Sequence, residues 1–214
     1  MRKKNTFVSQ INIMQSNNPS HQKNLKRIPY FLIYSRIVMA VYFILATIWK
    51  PLQDPIVISV VLITGILTDI FDGIIARKLK CDTIHLRQLD SKADTVFWIA
   101  LLYLLLSIHA KFMRDHAVEL FILLASEITI QLFGYFKFNR ALALHTYAAK
   151  TWAVLLTLTV LQLLLIGHAE TLFYIMFVWG LLSQIEVMII VFKLKIFTID
   201  VRSIFSLFKP IGEK

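Results

Sequence analysis

Residues 69–77 read D-I-F-D-G-I-I-A-R, and residues 90–94 read D-S-K-A-D. The sequence on the outer side of each motif is strongly apolar. A carboxylate in apolar surroundings costs free energy unless a metal ion or another cation compensates its charge. The stretch therefore predicts a site at which several acids share a cationic partner. The acids in the two motifs are Asp69, Asp72, Asp90 and Asp94.

The first motif is interpreted as part of a helix. At about 100° per residue, Asp69 and Asp72 lie ~60° apart on one helical face. Gly73 and Ala76 fall close to the same face, and such small residues let a ligand approach the backbone. Arg77 lies at the edge of this face, and a guanidinium is well suited to bind phosphate.

The second motif places Asp90 and Asp94 four residues apart, which puts both on one face of a second helix. If the two helices face each other, four carboxylates converge on one point. Hard oxygen ligands in that number suit Mg²⁺ or Mn²⁺. The alternative is that the acids only cap two helix ends at a membrane surface, which leaves the small residues and the arginine unexplained.

Together the motifs match the pattern D-x2-D-G-x2-A-R-x8-G-x3-D-x3-D, and on these residues the chain resembles the CDP-alcohol phosphatidyltransferases. One position departs from the pattern, because Leu86 stands where the second glycine is expected. This departure bears on how the loop packs into the next helix.

The resemblance implies a reaction and a set of roles. An alcohol hydroxyl attacks the β-phosphate of a CDP-linked lipid, CMP is released, and two divalent ions neutralise the pyrophosphate. Asp94 is expected to be the general base and also to contact the second ion. Gly73 and Ala76 are expected to lie against the nucleotide, Arg77 to reach its phosphates, and Thr83 to contact it. The implied metal ligands are Asp69, Asp72, Asp90 and Asp94.

A second, shorter resemblance lies at residues 28–37, which read I-P-Y-F-L-I-Y-S-R-I. It is similar to the I-P-N-x-L-T-x-x-R-I opening of bacterial phosphatidylglycerophosphate synthases, with Tyr30 in place of Asn and Ile33 in place of Thr. In that family the segment borders the nucleotide site. Two roles are open for Arg36: it contacts lipid phosphate, or it snorkels or pairs with a buried acid.

The composition indicates a membrane protein. The chain has 214 residues, of which 57% are hydrophobic and 17% charged, and its mean hydropathy is +0.68. The net charge of +10 fits an anionic membrane surface. Since no groove pattern of aromatic and basic residues appears, no nucleic-acid partner is expected.

The predicted fold class is all-α, a polytopic membrane helical bundle with short loops. The apolar runs predict six transmembrane helices of about 20 residues each. The sequence predicts three parts: a cytoplasmic tail with an interfacial basic segment at 1–30, a six-span domain at 31–192, and a cytoplasmic amphipathic tail at 193–214. The predicted spans are 31–49, 56–76, 90–109, 117–136, 150–167 and 171–192.

The distribution of basic residues predicts the orientation, because cytoplasmic loops of membrane proteins are enriched in Lys and Arg. Only Lys50, Lys111 and Arg114 fall in loops on the other side, and Arg36 lies within a span. Both termini and the acidic cluster are therefore expected to face the cytoplasm, in the inner membrane of a bacterium. The other nineteen of the 23 Lys and Arg residues lie in the segments predicted to be cytoplasmic. These segments are 1–30, 77–92, 137–150 and 193–214.

The acceptor alcohol is left open by the sequence. Glycerol 3-phosphate is the preferred acceptor, with inositol phosphate, serine or a phospholipid as alternatives, and CDP-diacylglycerol is the expected donor. Lys150 at the start of the fifth span either holds the phosphate of the acceptor or is a positive-inside anchor. The resemblance also implies a homodimer surrounded by membrane lipids.

A different functional class also has to be considered. A carboxylate cluster in a six-span protein is compatible with a divalent-cation or proton-coupled transporter. Transporters usually carry an internal repeat and acids near the bilayer midplane, and neither appears in this sequence. A member of the family that has lost activity is a third possibility, with Leu86 as the hint.

Overall fold

The protein is described by a computed structural model that covers residues 28–78, 83–138 and 146–193, without the side chains of residues 76–78, 84, 85, 87 and 88. Within these ranges it consists of helices and contains no strand. The predicted tails fall largely on residues 1–27 and 194–214, which lie outside the described residues.

The described residues form seven α-helices and one short 3-10 helix. Six of them are long and apolar enough to cross a membrane, which confirms the predicted all-α architecture with six transmembrane helices. The 3-10 helix spans Lys50–Leu52. The α-helices are α1 (Ile28–Ile48), α2 (Pro55–Lys78), α3 (Ile84–Ile108), α4 (Ala110–Asp115), α5 (Ala117–Phe138), α6 (Tyr147–Ile166) and α7 (Glu170–Lys193).

Three helices, α1, α3 and α6, begin at least three residues earlier than the hydropathy pattern predicted. α3 begins at Ile84, ahead of the predicted start at residue 90. α1 begins at Ile28, ahead of the predicted start at residue 31, because a proline such as Pro29 is tolerated in the first turn of a helix. α6 begins at Tyr147 because Thr146 caps it. The Thr146 hydroxyl oxygen accepts a hydrogen bond from the Ala149 N–H at 3.1 Å.

The chain divides into two compact units, residues 1–108 and residues 109–214. In the first unit α1 packs along both α3 and α2. Phe43 of α1 and Phe97 of α3 lie with their ring centroids 5.3 Å apart. A Cβ atom at Gly65 would lie 2.5 Å from the Phe97 ring, so the glycine lets this ring approach α2 one turn before Asp69.

In the second unit α7 packs on α6 and on α5. Leu123, Phe173 and Met176 form its buried apolar centre. Gln184 on α7 bonds across to α5, since its Nε2 donates to the Leu123 carbonyl at 3.0 Å. Lys137 Nζ donates to the carbonyls of the last turn of α7, at 2.8 Å and 2.9 Å, which satisfies groups that a helix end leaves open.

Candidate active site

The side chain of Arg36 lies at the centre of the four signature aspartates. Its Nη1 donates to Asp69 Oδ1 at 3.1 Å and forms an ion pair with Asp94. Its Nη2 forms ion pairs with Asp72 and Asp90. One guanidinium thus contacts all four acids, which confirms that the two motifs converge on one point.

Helix packing explains this convergence. Asp69 and Asp72 lie near the end of α2, and Asp90 and Asp94 lie near the beginning of α3. α1 packs against both helices, and Arg36 stands in its first half. Because the chain reverses direction between successive helices, the start of α1, the end of α2 and the start of α3 reach the same side of the first unit.

The four carboxylates differ in their exposure. The side chains of Arg36 and Asp72 are 1% and 4% exposed, so this pair is buried. Asp69 is 48% exposed, Asp90 32% and Asp94 34%. The site therefore has a closed inner end at Asp72 and an open outer part at which a substrate can reach three of the acids.

The donor set fits a divalent cation. Asp69, Asp72 and Asp90 each offer a carboxylate oxygen, and these oxygens lie within 4.8 Å of one another. Hard oxygen donors in such a group suit Mg²⁺ or Mn²⁺. The positively charged guanidinium that these oxygens already bind shows that the arrangement accommodates a cation.

The guanidinium is not fully satisfied. Within the part of the chain that the structure describes, Arg36 Nε is buried and has no hydrogen-bond partner. A buried donor without a partner costs free energy. The contacts with the acids are thus made through the two terminal nitrogens alone.

An apolar cluster lies directly beside the acids. Ile33 of α1 and Leu86 and Ala93 of α3 are buried in it, and Tyr30 packs against them. Tyr30, Ile33 and Leu86 are the three positions at which the chain departs from the two family patterns. These departures therefore occur together in space, where larger apolar side chains fill one common volume.

Thr83 has a structural contact of its own. Its Oγ1 accepts a hydrogen bond from the Leu86 N–H at 3.2 Å, which makes it the residue that caps the start of α3. The donor is the backbone N–H of residue 86, which leucine and glycine supply equally. Whether Thr83 also touches a nucleotide is untested and stays a prediction.

The other predicted substrate-binding residues are placed as follows. Gly73 is half-buried next to Asp72 in α2. Ala76 and Arg77 belong to α2, but their side chains lie outside the described part of the chain. Lys150 belongs to the second unit, where its side chain is exposed and its Nζ lies 5.9 Å from the centroid of the Tyr147 ring.

The central position of Arg36 is the feature that the sequence left open. Of its two possible roles, the structure shows the pairing with acids, and with four of them. The signal was a single arginine inside an otherwise apolar span, which requires a partner in a membrane. The sequence does not reveal which acids supply it, because they lie on other helices.

The family model for CDP-alcohol phosphatidyltransferase matches residues 26–198. The chain belongs to this family. As a CDP-alcohol phosphatidyltransferase with six apolar helices, it is an integral membrane transferase of phospholipid synthesis that acts on a CDP-alcohol. Searches of the curated proteins and of the solved structures each gave no match.

Proposed function

We propose that this chain transfers the phosphatidyl group of CDP-diacylglycerol to the hydroxyl of glycerol 3-phosphate, giving phosphatidylglycerophosphate and CMP. The observation that carries the proposal is the convergence of four aspartates in a member of the CDP-alcohol phosphatidyltransferase family. The choice of glycerol 3-phosphate rests on the similarity of residues 28–37 to phosphatidylglycerophosphate synthases.

In the proposed reaction Asp69, Asp72 and Asp90 would hold two Mg²⁺ or Mn²⁺ ions, and Asp94 would also contact the second ion. Bound ions of this kind supply positive charge to the pyrophosphate and to its leaving group. The aspartates of the open part of the site keep this region polar within an apolar span.

Asp94 serves as the general base in this proposal. It accepts the proton of the acceptor hydroxyl while the hydroxyl oxygen forms a bond to the β-phosphorus. The bond between that phosphorus and the oxygen of CMP breaks, and CMP leaves with the electron pair. Partial exposure of Asp94 supports the role, since a base must reach the substrate and return its proton to solvent.

The remaining contacts follow the family resemblance. Gly73 and Ala76 give the nucleotide access to the backbone of α2. Arg77 binds the phosphates of the nucleotide, and Thr83 makes a further contact with the nucleotide. Lys150 binds the phosphate of the acceptor. Arg36 is also assigned to phosphate binding, a role that becomes accessible only when its terminal nitrogens leave the acids.

The direct test measures CMP release by the purified protein in detergent. The reaction contains CDP-diacylglycerol, Mg²⁺ or Mn²⁺, and one acceptor from a panel of glycerol 3-phosphate, inositol phosphate, serine and phosphatidylglycerol. Release that requires glycerol 3-phosphate supports the proposal, and release with another acceptor replaces the proposed product. A folded protein that releases no CMP with any acceptor contradicts the proposed activity and favours an inactive member or a transporter.

We also propose that both termini and the site face the cytoplasm and that two chains form a homodimer. The single cysteine, Cys81, provides the test of orientation because it lies in the predicted cytoplasmic segment 77–92. A membrane-impermeant maleimide should label it in inside-out vesicles and not in intact cells. A Cys81→Ser, Lys111→Cys variant should instead be labelled in intact cells and not in inside-out vesicles.

The proposed homodimer has its own test. The mass of the protein in nanodiscs should equal that of two chains.

A further inference from the structure

The four aspartates already bind a cation that belongs to the chain itself. Arg36 contacts each of them through its terminal nitrogens, and its side chain is buried. The oxygens that would ligate a metal ion are thus the oxygens that accept from the guanidinium.

A metal ion and this guanidinium cannot use the same lone pairs in the same way. Three of the acids, Asp69, Asp72 and Asp90, form the group that fits a metal ion. The Arg36 hydrogen bonds to these acids must lengthen or break when a divalent ion binds them. Each of these bonds is charge-assisted and lies at least partly out of water, so its loss opposes binding of the ion.

The arginine also has a task when no metal ion is bound. Four carboxylates in one cluster repel one another, and the repulsion is strong where water is excluded. A guanidinium has donors enough to bind several carboxylates at once, whereas the ammonium of a lysine is a point charge. Arg36 can therefore hold α2 and α3 together against that repulsion.

We propose that Arg36 is the internal counterion of the acidic site, which stabilises the metal-free protein and competes with divalent cations for the same carboxylate oxygens. It is a positioning residue in this role. The inference rests on the proposed function in one respect, namely that divalent ions bind to these aspartates.

The test compares Mn²⁺ binding and thermal unfolding in Arg36→Met, which keeps an unbranched side chain and removes the charge. Binding is followed by electron paramagnetic resonance of free Mn²⁺ in detergent, without substrate. We expect the variant to bind Mn²⁺ at least about tenfold more tightly than the wild type. We also expect a lower Tm without metal and a larger rise in Tm when Mn²⁺ is added.

Two further variants complete the design. Arg36→Lys keeps a charge but not the fork of donors, so its Mn²⁺ affinity should lie between those of the wild type and Arg36→Met; it also serves if Arg36→Met does not fold. Arg114→Met removes an arginine from α4 in the second unit and should change neither quantity.

Unchanged or weaker Mn²⁺ binding in both Arg36 variants overturns the inference, because a merely structural arginine gives no gain in affinity. Absence of Mn²⁺ binding in every protein overturns it as well. The proposed function is judged separately by CMP release from the wild type. If Arg36→Met binds Mn²⁺ more tightly and the wild type releases no CMP, the inference is retained and the proposed reaction is rejected.

Discussion

Arg36 and Asp72 form an ion pair in which both side chains are buried. The pair joins α1 to α2, and the same guanidinium reaches two acids on α3. Because one positive charge faces four carboxylates, the cluster keeps an excess of negative charge when all of them are ionised. The cluster therefore keeps negative charge that a divalent cation can compensate.

Neutralising Asp72 should raise the thermal stability of the protein and abolish its metal binding and activity. In Asp72→Asn the side chain keeps its shape and can still accept from Arg36, while one negative charge is lost from the cluster. We expect the Tm of the metal-free protein to rise by about 2–4 °C and Mn²⁺ binding and CMP release to be lost. Differential scanning fluorimetry in EDTA measures the first effect.

The control for this experiment is Asp54→Asn. Asp54 caps α2, where its Oδ1 accepts from the Ile56 N–H at 2.8 Å, and asparagine caps a helix equally well. Neither Tm nor turnover should change in this control. A fall in the Tm of Asp72→Asn would mean that the carboxylate charge itself holds the helices together.

Replacing Asp94 should abolish turnover while the protein stays folded. If Asp94 is the general base, Asp94→Asn should lower kcat by about 10²–10⁴-fold. Mn²⁺ binding should persist, because Asp69, Asp72 and Asp90 remain to form the three-oxygen group. Substantial CMP release by the folded variant would show that another group takes the proton.

Thr83 allows its capping role to be distinguished from a nucleotide contact. Thr83→Ala removes the acceptor for the Leu86 N–H and should lower stability by about 1 kcal/mol. Thr83→Asn should keep the cap and the Tm. If the KM for CDP-diacylglycerol rises in both variants, the Thr83 hydroxyl also contacts the nucleotide, whereas an unchanged KM in Thr83→Asn leaves only the cap.

The apolar cluster should contribute to stability rather than to metal binding. Leu86→Ala leaves a cavity beside Ile33 and should cost about 2–5 kcal/mol, seen as a lower Tm. Mn²⁺ affinity should stay within about threefold of the wild type. Ile99→Ala, at an exposed position of α3, is the matched control and should change Tm much less.

Lys150 should affect one substrate and not the other. If its ammonium binds the phosphate of the acceptor, Lys150→Gln should raise the KM for glycerol 3-phosphate at least about tenfold. The KM for CDP-diacylglycerol should stay the same. Lys111→Gln, which removes a charge in α4, is the control, and equal KM values in the two variants would leave Lys150 as a membrane anchor.

Much of the fold was predictable because the length of each apolar run can be read directly along the sequence. A membrane requires about 20 apolar residues per helix, and six such runs are visible in the sequence. The predicted starts were least accurate at α1, α3 and α6, because a helix start depends on local contacts such as the Thr83 and Thr146 caps. Hydropathy does not report those contacts.

The four aspartates of the acidic site were predictable from the sequence, but the arginine that pairs with them was not. The spacing of Asp69 and Asp72, and of Asp90 and Asp94, is a property of single helices and follows from helical periodicity. The partner of these acids depends on which faces of α1, α2 and α3 meet. Arg36 lies 33 residues from Asp69 and 54 residues from Asp90 along the chain, so no local pattern connects them.

The class of the protein, the six helices and the four aspartates with their spacing could all be read from the sequence alone. The contact of Arg36 with all four acids, and the shared apolar cluster of Tyr30, Ile33 and Leu86, became visible only in the packed helices. The difference arises because apolar length and helical period are properties of one continuous segment. Ion pairs and packed clusters, in contrast, depend on the rotation and contact of helices that are distant in the sequence.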